Sequence, residues 1–95
     1  MSVKLLPPFV AKLQYVLERI YEDKKSAAHS FRREILRECQ SLNDFPYRCR
    51  RSIHYNDDNI RDLIFKGWTV IYKIVDDEIK VFALTKYEEY KDESL

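Results

Sequence analysis

The sequence predicts an α+β domain of order β-α-α-β-β-β, in which a helical hairpin packs on a mainly antiparallel sheet. Two stretches carry apolar residues at helical spacing, and three runs rich in β-branched and aromatic residues follow them. Only Lys66-Gly67 and Asp76-Asp77 separate these three runs, which is typical of tight hairpin turns. Since the 95 residues show no repeat or linker, we expect one domain over residues 1–95, with a frayed acidic tail at residues 88–95.

The helical half follows a short β-prone stretch, Val3–Leu6. Pro7-Pro8 suits the first turn of a helix, because the missing N–H would be unpaired there anyway. The first helix is predicted from an apolar stripe at Phe9, Val10, Leu13, Val16, Leu17, Ile20 and Tyr21. Ser26 is the predicted N-cap of a second helix that ends before Pro46. Its stripe consists of Ala28, Phe31, Ile35, Cys39 and Leu42.

Residues 47–58 show no hydrophobic period and are predicted to form a loop. The strands that follow are predicted at Ile60–Phe65, Trp68–Val75 and Glu78–Leu84. Apolar and aromatic residues alternate along the middle strand, so we expect one of its faces to lie in the core.

Composition excludes several classes of function. Seventeen basic and sixteen acidic residues leave a net charge of +1, so no global field draws the chain to nucleic acid or membrane. No apolar run approaches the roughly 18 residues that span a bilayer, and the N-terminus lacks the shape of a signal peptide. We therefore expect a cytoplasmic protein without membrane contact.

Cys39 and Cys49 are interpreted as reduced thiols, with a single disulfide as the alternative. Neither metal nor cofactor is predicted, because no ligand spacing or nucleophilic triad is present.

The run IRDLIFKGWTVIYKIVDDEIKVFALTKY resembles the three-strand end of the RelE/ParE family of bacterial type II toxins. The resemblance rests on an ordered set of motifs: Arg61, Gly67-Trp68, Tyr72-Lys73-Ile74 and the run from Ile79 to Leu84. Upstream, Ala27-Ala28 and the spacing from Pro46 to Arg50 are similar to the second helix of the family and its exit. The likeness covers nearly the whole chain.

This resemblance implies a toxin that inhibits growth, acts in stress responses and is neutralised by a cognate antitoxin. It also implies contact with operator DNA only through that antitoxin. The two apolar stripes are broader than a core of this size needs. We therefore expect the antitoxin to bind the outer surface of the helical hairpin and an edge of the sheet.

Two activities occur in such a family, and the residues favour one of them. Nuclease members place an arginine two residues after the glycine and a basic run after the last strand. This chain has Thr69 at the first position, and Lys86 is followed by Glu88-Glu89. We therefore favour a ParE-like binder of a target such as DNA gyrase. The alternatives are a ribosome-dependent mRNA endonuclease, with Arg61, Lys86 and Tyr87 as its catalytic group, and a diverged non-toxic member.

The predicted target-binding residues are a cluster of cations and tyrosines from two segments: Arg48, Arg50, Arg51, Lys86, Tyr87 and Tyr90. We expect the arginine loop to approach the sheet end where the final strand finishes. The other interpretation is a solvated loop with Asp57 and Asp58 as counterions. In either case, replacing Arg50 and Arg51 by alanine is predicted to leave folding nearly intact, as for most surface changes.

Overall fold

The computed structural model describes residues 1–86, which form two helices and five strands. In chain order these are β1 (Ser2–Leu5), α1 (Pro7–Asp23), α2 (Lys25–Ser41), β2 (Arg50–Arg51), β3 (Ile60–Phe65), β4 (Trp68–Val75) and β5 (Glu78–Lys86). The predicted α+β class and the helical hairpin on a mainly antiparallel sheet are confirmed. The two-residue strand β2 lies inside the segment that was predicted to be a loop, so that prediction was incomplete.

The five strands form one sheet in the order β1-β5-β4-β3-β2. Neighbouring strands are antiparallel except β1 and β5, which run parallel with Val3 opposite Ile79 and Leu5 opposite Val81. Parallel neighbours need a long crossover connection. Here that crossover contains both helices and the other three strands, so the first strand of the chain docks beside the last.

Both helices begin without a side-chain cap. Pro7-Pro8 occupies the first turn of α1, as predicted. Lys24 has an extended backbone that ends α1 and also precedes α2, so the hairpin turns at a single residue. The predicted capping role of Ser26 is wrong, because α2 has already begun at Lys25 and Ser26 lies within its first turn.

The two hairpin turns of the sheet have left-handed backbones. Lys66 and Gly67 have φ values of 47° and 81°, and Asp76 and Asp77 have φ values of 48° and 61°. Positive φ at both central residues is the type I′ geometry, which matches the twist of the flanking strands. These turns set the register that aligns β3, β4 and β5.

The core lies between the helices and the sheet face turned toward them, here called the inner face. Phe31 of α2 meets Phe65 of β3 edge to face, with ring centroids 5.3 Å apart. Tyr72 of β4 is fully buried, and its hydroxyl donates to the backbone oxygen of Pro46 at 2.6 Å. Cys39 is also fully buried in this core as a free thiol, as the helical stripe predicted.

The opposite sheet face, here called the outer face, also contains buried side chains. Alternation along β3 and β4 places Asp62, Thr69 and Ile71 on it, and each is at most 1% exposed. Polar groups therefore lie buried on the side away from the helices. Neither helix is long and apolar enough to cross a membrane.

Candidate functional site

A groove of about 750 Å³ runs between α1 and α2 beside β1. Its lining is mainly apolar, and includes Leu5, Val10, Leu13, Leu17, Tyr21, Ala28 and Leu36. Carboxylates of Glu18 and Glu22 stand on the α1 side, and Arg32 stands on the α2 side. The groove thus has an apolar base, an acidic rim on α1 and a basic residue on α2. Such a groove can bind the apolar face of an amphipathic helix.

The groove exists because the apolar stripe of α1 is wider than the face of that helix that packs against the sheet. Phe9, Leu13 and Val16 are buried against the sheet. Val10 and Tyr21, from the same predicted stripe, stay 44% and 48% exposed. Some apolar residues of α1 therefore lie on a surface that the rest of residues 1–86 does not cover.

The strand next to this groove lies at an edge of the sheet. Among the described residues, β1 pairs only with β5, and its Leu5 also lines the groove. An edge strand presents unpaired backbone donors and acceptors to which another chain can add. Groove and edge share Leu5 and are therefore adjacent, an arrangement whose shape suits a helix followed or preceded by a strand.

The predicted arginine cluster lies at the other edge of the sheet, in and before β2. Arg48 donates to Ser41 at 2.7 Å and approaches the Glu38 carboxylate at 3.2 Å. Arg51 lies 3.3 Å from the carboxylate of Asp58. Both guanidinium groups are thus oriented by neighbours, and both remain more than a third exposed. Each guanidinium carries five N–H donors, so oriented donors are left for a partner.

Arg50 has a different environment from the other two arginines. Its guanidinium lies 3.2 Å from a carboxylate oxygen of Asp62, whose side chain is 0% exposed. The same oxygen accepts a hydrogen bond from the backbone N–H of Ile53 at 3.2 Å. Removing Arg50 would leave a buried carboxylate without its cation. This contact argues against the expectation that an Arg50 replacement leaves folding nearly intact, and the sequence did not reveal this partner.

The residues proposed for a nuclease site are separated in the structure. The guanidinium of Arg61 lies 4.9 Å from the ring centre of Tyr47, and its Nε donates to the backbone oxygen of Asp58 at 2.8 Å. Lys86 lies 5.1 Å from the ring centre of Trp68. In the sheet register, the backbone of Arg61 lies opposite Tyr72 of β4. The backbone of Lys86 lies opposite Trp68, four residues away along the same strand. That offset is about 13 Å of strand.

The arginines and Lys86 do not share one end of the sheet. Arg50 lies opposite Asp62 near the middle of β3, whereas Lys86 lies opposite Trp68 at the end of β4. Two strands, β3 and β4, stand between them. Tyr87 and Tyr90 lie outside the described residues, so their predicted roles stay predictions.

Sequence reasoning missed three exposed apolar side chains near the arginines. Phe45, Tyr47 and Ile53 are 69%, 51% and 61% exposed. The signal for Phe45 was its position just past the end of the second helix and outside both apolar stripes. Within residues 1–86, no three histidine, cysteine, aspartate or glutamate side chains are grouped as a metal site.

Comparison with known proteins agrees with this architecture. Residues 3–88 match the model of a family described as the ParE toxin of the type II toxin-antitoxin system, parDE. No curated protein sequence matches the chain. The family match spans nearly all of the helices and the sheet described above. The chain therefore belongs to the ParE toxin family of type II toxin–antitoxin systems.

Proposed function

We propose that this toxin arrests growth in the cytoplasm by binding a protein target, with DNA gyrase as the first candidate, and that it does not cut RNA. Family membership makes it a type II toxin. DNA gyrase as the target is what the resemblance to ParE-like members implies, and the site of neutralisation by an antitoxin is inferred from the geometry of the described residues.

The separation of Arg61 from Lys86 carries this proposal. RNA cleavage needs cations and a proton-transfer group within hydrogen-bond reach of one phosphate and its 2′-hydroxyl. The strand register offsets the backbone positions of these two residues by about 13 Å along the strand direction, and β4 stands between their strands. Each also lies over an aromatic ring, Arg61 over Tyr47 and Lys86 over Trp68. This arrangement favours a binding surface over a catalytic group.

The environment of Thr69 supports the same conclusion. This residue stands two positions after Gly67, where the resemblance implies an arginine in nuclease members. Its side chain is neutral and only 1% exposed. A buried hydroxyl supplies no positive charge to stabilise the negative charge on the phosphate in the transition state of RNA cleavage.

The groove between α1 and α2, with the edge of β1, is the proposed site of the cognate antitoxin. An amphipathic antitoxin helix would place apolar anchors against Val10, Leu17 and Tyr21, with its basic side toward the acidic rim of α1. An adjoining extended segment would add to β1. Binding to the folded toxin alone raises its apparent stability by mass action.

Target contacts are proposed at the residues predicted from sequence, which the structure divides between the arginine segment and the segment that begins at Lys86: Arg48, Arg50, Arg51, Lys86, Tyr87 and Tyr90. Arg48 and Arg51 are exposed and oriented, so their replacement tests contact with the target directly. Arg50 also holds Asp62, so a change there alters folding and contact together. Tyr90→Ala tests the tyrosine end of the cluster.

Induction of the toxin without its antitoxin provides the test. We expect growth arrest, inhibition of DNA supercoiling by purified gyrase, and no new codon-spaced ends in primer extension on cellular messages. New ends at the ribosomal A site would overturn the proposal in favour of the endonuclease. Normal growth at a verified protein level would identify a diverged non-toxic member.

A second experiment tests neutralisation by the antitoxin and uses the acidic product of a neighbouring reading frame. Co-expression should restore growth and raise both the yield and the melting temperature of the toxin. A toxin that is monodisperse, stable and indifferent to every neighbouring product would refute the proposed neutralisation.

A further inference from the structure

The turn that leaves α2, here called the exit turn (residues 42–48), displays an apolar ring to solvent. Phe45 is 69% exposed, more than any other large apolar side chain among the described residues. The exit turn leads directly into β2, at the sheet edge opposite β1. It therefore leads to the sheet edge opposite the one assigned to the antitoxin, and none of its residues lines the groove.

The backbone beneath this ring is fixed to the core by bonds that do not involve the ring. The Tyr72 hydroxyl donates to the backbone oxygen of Pro46 at 2.6 Å. The backbone N–H of Arg48 donates to the backbone oxygen of Phe45 at 3.1 Å, and that of Asp44 to Ser41 at 3.3 Å. A ring displayed on an ordered backbone loses little conformational freedom on binding, which is the advantage of a preorganised anchor.

The side chains next to Phe45 are ordered too. The Tyr47 hydroxyl donates to Asn59 at 2.7 Å, and its ring lies under the guanidinium of Arg61. Arg48 is held by Ser41. Tyrosine and arginine are enriched among interface hot spots, and one of each lies within three residues of Phe45 in the sequence.

We propose that Phe45 is the central anchor of the target-binding surface, and that its ring enters an apolar pocket on a protein partner. Arg48 and the edge of the Tyr47 ring would contact carboxylate or carbonyl oxygens around that pocket. This inference rests on the proposed function, because it assigns a contact surface to the target that the toxin inhibits.

The charges around the exit turn favour a protein over a nucleic acid. Arg48 is paired with Glu38 and Arg51 with Asp58, and Asp44 adjoins Phe45 in the sequence. Affinity for a nucleic acid comes largely from cations that neutralise its phosphates and so release the counterions condensed on it. A surface of balanced charge around an exposed ring lacks that excess.

The test compares Phe45→Ala with Tyr15→Ala. Tyr15 is a 53% exposed aromatic residue on α1 that lies outside both the groove and the exit turn, so it is a matched control. Phe45→Ala should need at least about tenfold more protein for half-inhibition of gyrase supercoiling, the fold-change of a moderate hot spot. Its melting temperature and its affinity for the antitoxin should match the wild type. Tyr15→Ala should behave as wild type throughout, and Phe45→Tyr should retain inhibition.

Growth after induction, at matched protein levels, gives a readout that does not assume gyrase. Undiminished arrest by Phe45→Ala would overturn this inference while leaving the proposed function intact. Loss of antitoxin binding with retained arrest would overturn it by placing the ring in the antitoxin interface. Conversion of a wild-type dimer into a monomer would overturn it in favour of a second copy of this chain. If the wild type neither arrests growth nor inhibits gyrase, the proposed function fails first, and the inference fails with it.

Discussion

The buried carboxylate of Asp62 lies 3.2 Å from the guanidinium of Arg50, across the register that joins β2 to β3. Asp62 belongs to a continuous sheet strand, whereas Arg50 belongs to a strand of two residues. The ion pair therefore fixes the segment after the exit turn to the sheet. It also distinguishes Arg50, whose partner carboxylate is buried, from Arg48 and Arg51, whose partner carboxylates are exposed.

Replacing Arg50 by alanine should lower the free energy of unfolding by about 2–3 kcal/mol. Breaking a fully buried pair typically costs about 3–5 kcal/mol, and the cost here is smaller because the Arg50 side chain is 36% exposed. Arg51→Ala, in an exposed pair with Asp58, should change stability by less than about 1 kcal/mol. Urea denaturation of both variants measures the difference. Equal stability of the two would contradict the structural role of Arg50.

Tyr72→Phe should lower stability by about 1–2 kcal/mol, because the backbone oxygen of Pro46 loses its hydrogen-bond donor. Burial, followed by a hydrogen bond with Cys49, raises the pKa of Tyr72 far above its ordinary value of 10.0. The stabilisation from the neutral phenol is fully present below pH 10 and is lost as the pH rises through the higher folded-state pKa. The stability difference between wild type and Tyr72→Phe should therefore narrow above pH 10. Denaturation series at pH 8 to 11 test this; a constant difference would refute it.

The thiol of Cys39 should be unreactive in the folded toxin. Burial, and secondarily the negative charge of Glu38, raises its pKa from 9.0 to about 12. Only the thiolate reacts readily. In a Cys49→Ser background, an aromatic disulfide reagent at pH 8 should therefore label Cys39 only after denaturation. Rapid labelling of native protein with an unchanged melting curve would contradict this.

Val10→Asp should abolish neutralisation while preserving the fold. Val10 lines the groove and is 44% exposed, so a carboxylate there keeps its contact with water in the free toxin. Under an apolar antitoxin anchor the same carboxylate would be desolvated without a partner, which is strongly unfavourable. Co-expressed antitoxin should fail to rescue growth, and pull-down should show no complex. Tyr15→Asp, outside the groove, serves as the control that should still be rescued.

Periodic sequence features predicted the parts of the fold that are governed by burial on one face. The alternation through Val70, Tyr72 and Ile74 predicted a strand with one core face, and these three residues are buried in the core. The spacing of Phe31, Ile35 and Cys39 likewise predicted the inner side of the second helix. These predictions succeeded because each depends on neighbours within a few residues.

Features that depend on distant partners were not predictable in this way. Two residues are too few to show a hydrophobic period. The strand β2 is recognised from its pairing with β3, in which Arg50 lies opposite Asp62, twelve residues later in the sequence. The parallel pairing of Val3 with Ile79 spans most of the chain. The exposure of Phe45 was hidden for a related reason, because composition does not reveal which aromatic residues the core leaves out.

The pairing of β1 with β5 has a consequence for synthesis of the toxin. Within residues 1–86, β5 is the last strand to be synthesised, so β1 has no partner strand until residues 78–86 have been made. Contacts of such large sequence separation form late and slowly. A nascent toxin therefore lacks its finished sheet until β5 has emerged and paired with β1.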